Sequence, residues 1–577
     1  MPQINIPGLQ CAPNTGAATP DFFVDPAAAN DSGDGLTAGT AKKYINSALA
    51  LTSAGSLVQL QDGTYPDHTD NTIDDDIVVA NPGTSGSYVK VQAQTDGGVI
   101  IQADLGIAFQ TPGNVYYEFH GLKWKSKYDT GLASAYIKFL RCAFDGGPTN
   151  GNVDNSTASS YQLFEDCWFY GTGGRINFLM YNVSNVIARR CVMRHDGGWG
   201  WGINAKTEPE LTCTIYPNDG NPNANAMMQN CIIVDSSTYS PTSMNEWAPN
   251  FTNNTHGAGA SNSFTKGCIC FNSKGTAFGI EGSGSFALIN YSDNAAIGGS
   301  NGYWGGFIAN IPLTVDAQLD NCLAYGIDSG GRQYNATGDL AFKNSIITDN
   351  ATQGLGGNTT GDYNSCWNNG GGSCGTNAQT YDPELNGLKY PTRIEAAGSL
   401  LTDGEGGGQI GPTIIKRRGV SGTLYGDAGY DTLTDDDLWP FPNEARIKAD
   451  FGSVLPWLVI FLDGTYVNFV SGDMGKQLTD DGADVGEIVD YDNTQKVVVI
   501  EVAQDTAVTA IADNSVIAVN GGTGSATAFG ASAGAAYGGN RGFCASGNDA
   551  YGRVNTLSRY IWQSLGYEVP DEYNLRD

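Results

Sequence analysis

The sequence is poor in positive charge. Its 577 residues include only 30 Lys and Arg against 60 Asp and Glu, which gives a formal net charge of -30. A protein that binds nucleic acid needs a basic face that neutralises phosphates, so this composition excludes a nucleic-acid partner and disfavours an anionic lipid surface. Partners of low charge, such as a neutral glycan or another protein, remain open.

Long hydrophobic runs are also missing. The longest candidate, residues 455–462, contains a proline and is far shorter than the roughly 20 apolar residues that a membrane-spanning helix needs. The first eight residues carry neither the basic segment nor the apolar segment of a signal peptide. We therefore expect no membrane insertion, and synthesis in a cytoplasm without a signal peptide.

The cysteines are modest in number, and their spacing excludes a zinc site. The 12 cysteines form no C-x-x-C pair and no Cys/His cluster of the zinc type, and the nearest pairs are Cys268/Cys270 and Cys366/Cys374. We predict no metal site, and small, buried, reduced thiols in place of a disulfide scaffold.

The cysteines do mark a repeat. In each copy a polar residue or glycine precedes the cysteine and apolar residues follow it, as at Cys142, Cys167, Cys191, Cys231, Cys268 and Cys322. A period of about 20 to 25 residues, with short β-rich segments and Gly, Asn and Asp at the turns, is typical of a β-solenoid. Stacked coils would align cysteine and aliphatic side chains into interior ladders and asparagines into turn ladders. We expect roughly 12 to 14 coils at the spacing of adjacent strands.

The pattern divides the chain into five parts. Residues 1–40 form an N-terminal arm that leads into the first coil, and residues 41–385 form the solenoid, with a helical cap at residues 41–51. Residues 386–454 are expected to fold back as an irregular C-terminal cover. Alternating strands separated by Asp-Asn and Asp-Gly turns predict a small antiparallel β module over residues 455–529. Residues 530–577 are expected to form a Gly/Ala linker and a terminal helix.

Residues 22–26, 31–36 and 55–65 resemble the usual start of the first coil in the pectate-lyase-like superfamily, and the resemblance covers about residues 20–385. It implies an all-β fold, a right-handed parallel β-helix. This superfamily contains polysaccharide lyases, hydrolases, phage tailspikes and non-catalytic adhesins, so the resemblance implies the fold without fixing the chemistry. In the β module, residues 470–478 and 486–491 are similar to small modules of phage structural proteins.

Candidate site residues occur where acidic, basic and tryptophan residues coincide in neighbouring repeats. Glycan cleavage on a β-helix needs two carboxylates, or a Ca²⁺ site with a basic residue that abstracts a proton. The catalytic candidates are Glu165, Asp166, Arg194, Asp196 and Glu246, and the carbohydrate-binding candidates are His195, Trp199, Trp201 and Trp247. The alternative, which we favour, is that these residues are solvated turn positions and ion-paired ends of ladders. No cofactor is predicted beyond the Ca²⁺ ion that a lyase could require.

These observations favour a non-catalytic protein, a tailspike-like or fibre-like structural or receptor-binding component of a virion. It would be made in a cytoplasm and become extracellular on the particle, with host surface glycans or other virion proteins as partners. A homo-oligomer such as a trimer is expected. Two alternatives stay open: a polysaccharide lyase or glycoside hydrolase that uses the region near Arg194 and Asp196, and a bacterial extracellular adhesin.

Overall fold

Three long parallel β-sheets form the body of the molecule. The computed structural model describes residues 19–65, 76–77, 79–102, 107–109, 113–125, 128–129, 134–146, 153–155, 160–171, 176–195, 211–217, 225–236, 251–255, 261–273, 275–282, 286–298, 305–309, 317–333, 340–388, 392–395, 397–453, 457–493, 496–501, 511–529, 542–544 and 556–563. Within these ranges the three sheets contain 13, 12 and 11 strands. Strands pair in parallel with the equivalent strands of the next coil. The predicted all-β parallel β-helix, with about 12 to 14 coils, is confirmed.

Each coil passes through a first, a second and a third sheet in turn. The first sheet consists of strands Phe22–Val24, Leu57–Leu60, Val89–Ala93, Gly113–His120, Ser134–Leu140, Ser160–Glu165, Val186–Arg189, Asn225–Gln229, Ser261–Lys266, Phe286–Ser292, Ala317–Asp320, Leu340–Lys343 and Thr359–Asp362. The second sheet consists of strands Gly63–Tyr65, Val99–Ile101, Lys123–Trp124, Ala143–Gly146, Trp168–Gly171, Val192–Met193, Ile232–Val234, Ile269–Phe271, Ala295–Ile297, Leu323–Tyr325, Ile346–Thr348 and Ser365–Trp367. The third sheet consists of strands Asp76–Ile77, Ile107–Phe109, Tyr128–Asp129, Val153–Asn155, Ile176–Val183, Leu211–Pro217, Phe251–Thr255, Phe278–Gly282, Phe307–Ala309, Ser329–Gln333 and Gln353–Gly357.

A column of thiols lies at the corner between the first and second sheets, inside the coil. Its members are completely buried, and they are Cys142, Cys167, Cys191, Cys231 and Cys268. The N–H of Trp168 donates to the carbonyl of Cys142, and the N–H of Val192 donates to that of Cys167, which places these cysteines at equivalent positions of successive coils. Burial raises the pKa of the Cys142 and Cys268 thiols. The predicted dry column of cysteines is confirmed.

The residue before each cysteine of the column turns the corner of the coil in a left-handed conformation. Its φ is 56° at Arg141, 55° at Asp166, 49° at Arg190 and 50° at Asn230. Asn and Asp tolerate this region, whereas a longer side chain is strained in it. Both arginines are held by ion pairs, because Arg141 Nε lies 2.8 Å from Asp96 Oδ2 and Arg190 Nε lies 2.7 Å from Asp166 Oδ1.

The N-terminal end of the solenoid is covered by a short helix. Helix α1, Ile45–Leu49, is shorter than the predicted cap over residues 41–51 and contacts the first two strands of the first sheet. A short 3₁₀ turn, Ala38–Thr40, precedes it. Strand Phe22–Val24 pairs in parallel with Leu57–Leu60. The described part of the predicted N-terminal arm therefore contributes the outermost strand of the first sheet.

The last coil carries a disulfide bond between Cys366 and Cys374, whose Cα atoms are 6.2 Å apart. The expectation that the cysteines are all reduced is wrong at this pair. The chain turns back after strand Ser365–Trp367, and a bridge between Leu355 and Ser373 holds the returning segment against the coil. Nine other cysteines of the described ranges are free and buried, as predicted.

Residues 386–453, here called the strap, run back along the solenoid from its last coils toward its first. The N–H of Gly411 donates to the carbonyl of Asn344, and Lys123 Nζ lies 3.0 Å from Asp450 Oδ1. The ordered segments around and within the strap are the 3₁₀ turns Glu384–Asn386, Ser399–Leu401 and Glu405–Gly407, a hairpin of strands Lys416–Arg418 and Leu433–Asp437, and helix α2, Glu444–Gly452. The strap thus lies against the solenoid from the coil of Asn344 to that of Lys123.

The strap buries the outer face of the second sheet. Apolar strap residues pack on that face, namely Leu388, Ile394, Leu400, Ile410, Ile414, Leu438, Trp439, Phe441, Ile447 and Phe451. The sheet residues that they cover include Trp168, Val192, Ile232, Ile269, Leu323 and Ile346. Both faces of the second sheet are therefore removed from water in its middle coils, whereas Thr64 and Trp367 in its two end strands are exposed. The hydrophobic effect holds the strap in place.

The β module forms a closed antiparallel barrel. Its strands are Trp457–Val467, Gln477–Asp480, Ala483–Asp492, Val497–Glu501, Val516–Val519 and Ser525–Ala528, and a 3₁₀ turn, Ser471–Asp473, precedes the second strand. Alternate apolar residues such as Ile460, Val498, Ile500 and Ile517 fill its core. The prediction of a small antiparallel β module near the C-terminal end of the sequence is confirmed.

A terminal helix is also present, as predicted. Helix α3, Leu557–Gln563, buries Leu557 and Ile561 in the same apolar cluster as the strap. The hydroxyl of Tyr560 donates to Asp235 Oδ1 at 2.6 Å, and the 3₁₀ turn Gly542–Cys544 lies in the same region through a hydrogen bond from Phe543 N to Asp235 Oδ2. Among the described residues, no helix combines the length and the apolar character needed to cross a membrane.

Candidate functional site

The predicted site residues fall into two groups. Five of them lie outside the described residues, namely Asp196, Trp199, Trp201, Glu246 and Trp247. The other four, Glu165, Asp166, Arg194 and His195, lie in two neighbouring coils of the solenoid. Their contacts decide what they can do.

Glu165 is the centre of a buried ion network. Arg189 Nη1 donates to its Oε2 at 2.8 Å, and Arg190 Nη2 donates to its Oε1 at 2.6 Å. The N–H of Gly422 in the strap donates to Oε2 at 3.0 Å, and the carboxylate side chain is only 4% exposed. Burial alone would raise the pKa of Glu165, but the charges of Arg190 and Arg189 outweigh it and hold the pKa below its ordinary value.

Arg189 connects this network to the strap. Its guanidinium is fully buried and donates to the carbonyls of Val420 and Tyr430, at 2.9 Å in both cases. Its Nε donates to Gln229 Oε1 at 2.8 Å. Gly419 passes directly over the guanidinium with a φ of +80°, so a side chain there would meet Arg189. We call Glu165, Asp166, Arg189 and Arg190 the clamp.

Asp166 completes the clamp at the corner of the coil. Its Oδ1 accepts a hydrogen bond from Arg190 Nε at 2.7 Å. Its carbonyl accepts a hydrogen bond from Asn443 Nδ2 of the strap at 3.3 Å. The side chain is 18% exposed, so solvent reaches only a small part of this carboxylate.

Arg194 and His195 lie beneath the C-terminal segments. The Arg194 guanidinium lies 4.6 Å from the centre of the Phe451 ring, and its Nη2 donates to the Phe451 carbonyl at 2.7 Å. His195 is fully buried, and its backbone N–H donates to Ser236 Oγ at 2.9 Å. An arginine that abstracts a proton, or a histidine that contacts a glycan, must reach solvent, and neither side chain does so.

These contacts favour a structural role for the four described candidates. The oxygens of Glu165 accept hydrogen bonds from two arginines and one backbone N–H, whereas a catalytic acid or base must approach its substrate. The catalytic and carbohydrate-binding assignments made from the sequence stay predictions. The sequence pointed to a dense charged cluster at this place, and the structure uses its described part to fasten the strap.

A stack of tyrosines lies on the outer face of the first sheet, and sequence reasoning missed it. The ring centres of Tyr116 and Tyr136 are 4.5 Å apart, and those of Tyr136 and Tyr161 are 4.8 Å apart with the planes inclined by 3°. Tyr88 meets Tyr116 edge to face at 5.4 Å. All four tyrosines are partly exposed. Tyr136 and Tyr161 pack against outer-face residues such as Leu163 and not against the interior.

The same column continues as a ladder of amides. Tyr161 is followed in the next coil by Asn185, because Ser160 and Ser184 form a parallel bridge. Asn225 Nδ2 donates to Asn185 Oδ1 at 2.7 Å, and Asn262 Nδ2 donates to Asn225 Oδ1 at 2.9 Å. We call these six residues, Tyr116, Tyr136, Tyr161, Asn185, Asn225 and Asn262, the tyrosine–asparagine column.

The sequence does contain a signal for this column. Tyr136 precedes Cys142 by six residues, and Asn185 precedes Cys191 by the same six. The same offset to a cysteine holds for Tyr161, Asn225 and Asn262, while Tyr116 precedes Leu122 by six residues, so from Tyr136 onward the column follows every change in repeat length that the cysteines follow. A search for other residue types that recur at a fixed distance before the cysteines would have found the column.

A charged cluster flanks the tyrosine end of the column. Glu118 accepts a hydrogen bond from Lys138 Nζ at 3.1 Å and lies 3.2 Å from His120 Nε2. Lys90 Nζ lies 3.8 Å from the same carboxylate, and Lys138 Nζ stands 4.1 Å above the Tyr88 ring. Burial would raise the pKa of Glu118, but the hydrogen bond with His120 and the charge of Lys138 lower it to about 2.

The described residues contain no group of three His, Cys, Asp or Glu side chains that could hold a metal ion. The Ca²⁺ ion that a lyase would require therefore stays a prediction.

No family model and no curated protein matches the sequence of this chain. Solved structures match it at low identity and low TM-score. It is 13% identical to pectate lyase Pel9A, over 71% of this chain and 94% of that one, with a TM-score of 0.40. It is 10% identical to an alginate lyase from a Paenibacillus species, over 55% of this chain and 95% of that one, with a TM-score of 0.34. It is 9% identical to the GH136 lacto-N-biosidase from Eubacterium ramulus, over 62% of this chain and 67% of that one, with a TM-score of 0.29. No substrate and no chemistry follow for this chain from these similarities.

Proposed function

We propose that this protein is a non-catalytic β-helix, a tailspike-like or fibre-like structural or receptor-binding component of a virion that contacts surface glycans. The observation that carries the non-catalytic part is the clamp. The carboxylate with the most contacts among the described candidates, Glu165, is bonded by Arg189, Arg190 and the backbone of the strap. A buried charge held in this way serves the fold and has no open side toward a substrate.

The construction of the solenoid supports a role in bearing mechanical load or in presenting binding surfaces to a ligand. In its middle coils the second sheet is buried on both faces by the interior and by the strap, which gives a stiff rod whose ends and flanks can present ligands. The disulfide of the last coil, Cys366–Cys374, supports a protein that works outside a reducing compartment. A particle-bound protein and an extracellular adhesin both satisfy this condition.

The barrel supports assembly with a partner protein. Its surface exposes several large apolar side chains, namely Val467, Val470, Met474, Val516 and Phe529. Exposed apolar side chains are the contacts that a protein partner uses where they lie together in one patch. The similarity of this module to phage structural modules agrees with contact to another virion protein or to a second copy of the chain.

Two measurements test the proposed function. Purified full-length protein is incubated with neutral and acidic polysaccharides, and new reducing ends and unsaturated products are measured; we expect neither. Antibodies against the protein are used to label intact virus particles released from the source culture, and we expect labelled particles. Product formation would contradict the non-catalytic role. Labelling of cell surfaces in place of particles would favour the adhesin.

Glycan cleavage is the second candidate function, and one pair of carboxylates favours it. Lys123 Nζ lies 3.0 Å from Asp450 Oδ1 and 4.0 Å from Asp145 Oδ2. Trp168 Nε1 donates to Asp450 Oδ2 at 2.8 Å. Burial and the nearby charge of Asp450 raise the pKa of Asp145, despite the opposing charge of Lys123. One carboxyl of raised pKa beside a second carboxylate is the arrangement that glycoside hydrolysis uses.

The cleavage assay above decides between the candidates when it includes a variant of this pair. If the protein cleaves a glycan, Asp145→Asn should abolish turnover while the fold persists. Asp293→Asn is the matched control, because Asp293 is also a carboxyl of raised pKa but lies near Arg418, away from Asp450. Cleavage that both variants retain would place the chemistry elsewhere.

A further inference from the structure

We propose that the tyrosine–asparagine column is the surface that binds glycan, and that its ligand is a neutral, linear polysaccharide lying along the solenoid axis. The proposal deepens the function proposed above by assigning the glycan contact to a defined surface and a defined class of sugar chain. It rests on the geometry of the column, on its backbone conformation and on the charges around it.

The column carries a regular row of polar groups, of which Asn225 is buried and the other five are partly exposed. Its three tyrosines stack on one another, which restricts the orientation of each ring, and all three side chains are partly exposed. Among the described residues, none forms a hydrogen bond with the hydroxyl of Tyr116, Tyr136 or Tyr161, and these hydroxyls are left to water or a ligand. The hydroxyls of a sugar can replace water at phenols and amides of this kind, because they donate and accept the same hydrogen bonds.

The length and direction of the column fit a chain ligand. Six successive coils contribute one residue each, so the column extends over five intervals of about 4.8 Å, or roughly 24 Å in total. A row of this length along the axis matches a linear polymer of several sugar units better than a single small molecule. The amide ladder from Asn185 to Asn262 continues the hydrogen-bonding row where the tyrosines end.

The backbone of the column is strained at its three tyrosines. Tyr116, Tyr136 and Tyr161 have φ values of 54°, 64° and 51°, in the left-handed region that bulky side chains rarely adopt. Asn185, the next member, also lies there with a φ of 59°, and asparagine tolerates the region well. Asparagine would therefore suit the backbone of these three positions better. Mutual stacking of the rings offsets part of this cost, and the partly exposed tyrosine side chains are the groups that the column offers to a ligand.

The charges around the column favour a neutral ligand. At the tyrosine end Lys90 and Lys138 are balanced by Glu118 and by Asp427 of the strap, whose charge acts on Tyr136 and Tyr88. The surface therefore offers no excess of positive charge to an acidic polysaccharide. The net charge of -30 on the whole chain adds long-range repulsion of polyanions.

One wall of the surface comes from the strap. Leu424, Tyr425 and Tyr430 pack with Leu163 and with the rings of Tyr136 and Tyr161 in one apolar cluster on the outer face of the first sheet. The strap thereby limits the approach of a ligand on that side and leaves the column as a strip parallel to the axis. Aromatic residues beside such a strip are the usual apolar contacts for sugar rings.

The test is affinity electrophoresis of the full-length protein in gels that contain dextran, yeast mannan, galactomannan, alginate or polygalacturonate. The test variant replaces the three tyrosines by asparagine, Y116N/Y136N/Y161N, which suits the left-handed backbone while removing the rings. The matched control is Tyr363→Asn, since Tyr363 also has a positive φ, of 52°, but lies at a corner of the last coil. Tyr136→Phe, which removes only one hydroxyl, is a milder second variant in case the triple variant does not fold.

We expect at least one neutral polysaccharide to retard the native protein and the Tyr363→Asn variant equally. The triple variant should bind at least tenfold more weakly while its far-ultraviolet circular dichroism stays that of the native protein, and Tyr136→Phe should bind a few-fold more weakly. The proposal is overturned if no neutral polysaccharide retards the native protein, if only acidic ones do, or if the triple variant binds like the native protein. Cleavage of a bound polymer would instead contradict the non-catalytic function and leave the binding surface standing.

Discussion

The clamp allows a direct test of how the strap is held. Glu165→Gln keeps the volume of the side chain but removes its charge, and it leaves the guanidiniums of Arg189 and Arg190 buried with fewer partners. Removing one partner of a buried ion pair costs about 3 to 5 kcal/mol. Arg190 keeps Asp166 and Arg189 keeps its bonds to Gln229 and the strap carbonyls, so the lower end, about 3 kcal/mol, is expected.

Hydrogen exchange measured by mass spectrometry on the full chain reports this loss locally. About 3 kcal/mol corresponds to roughly a hundredfold faster exchange in strap peptides that cover residues 416–437, if the strap opens as a unit. Exchange in the solenoid strand Ala143–Gly146 should change little. Glu118→Gln is the matched control, because Glu118 is also a buried, ion-paired carboxylate of the first sheet, with Lys138 and His120 as its partners.

Unchanged strap exchange in Glu165→Gln would show that the clamp contributes nothing to holding the strap. An equal rise of exchange in the strap and in the solenoid would also contradict the expected role of the clamp. That second pattern would mean that the network stabilises the whole β-helix and has no particular connection with the strap.

Three further variants test other features of the fold. Burial raises the pKa of Asp293 from 3.8 to about 6, so the contribution of this carboxyl to stability is fully present below pH 4 and is lost as the pH rises through 6. Asp293→Asn should therefore increase the free energy of unfolding at pH 8 by about 1 kcal/mol, a value reduced because the side chain is 31% exposed. Thermal unfolding should show this gain as a higher midpoint at pH 8 and show no gain at pH 3. Gly419→Ala should speed proteolysis within residues 416–437 because a Cβ there meets a clamp arginine, whereas Gly422→Ala, which has a similar φ of +76° but open space, reports the backbone effect alone. Replacing both Cys366 and Cys374 by Ala should lower the stability of the last coil by about 2 kcal/mol, measured as faster exchange in residues 365–379.

The solenoid could be predicted from the sequence because its interior repeats. A residue that must be small, apolar and buried at every coil leaves a periodic mark, and Cys142, Cys167 and Cys191 supply it. The helical cap, the barrel and the terminal helix could be predicted in the same way from local periodicity. Local patterns set these elements, and tertiary contacts changed only their ends, as at helix α1.

The environment of the candidate site could not be predicted in the same way. A run of two arginines next to acidic residues suggests an exposed charged cluster, yet Arg189 is covered by carbonyls of Val420 and Tyr430, more than 200 residues away in the chain. No local sequence pattern indicates hydrogen-bond partners that lie so far away in the chain. The disulfide was missed for a related reason, because the return of the chain after the last coil brings Cys366 and Cys374 together.

The interior and the candidate binding surface follow from one repeat. The tyrosine–asparagine column keeps a fixed six-residue offset from the interior ladder, so the stretch between them, one strand of the first sheet and its corner, has constant length. Changes in coil length fall in the connections that join the second, third and first sheets. A parallel β-helix can thus lengthen its loops without disturbing a straight row of outward side chains, provided that the row lies on the strand of constant length. The first sheet satisfies this condition from Tyr116 to Asn262, which is where a ligand that needs regular spacing can bind.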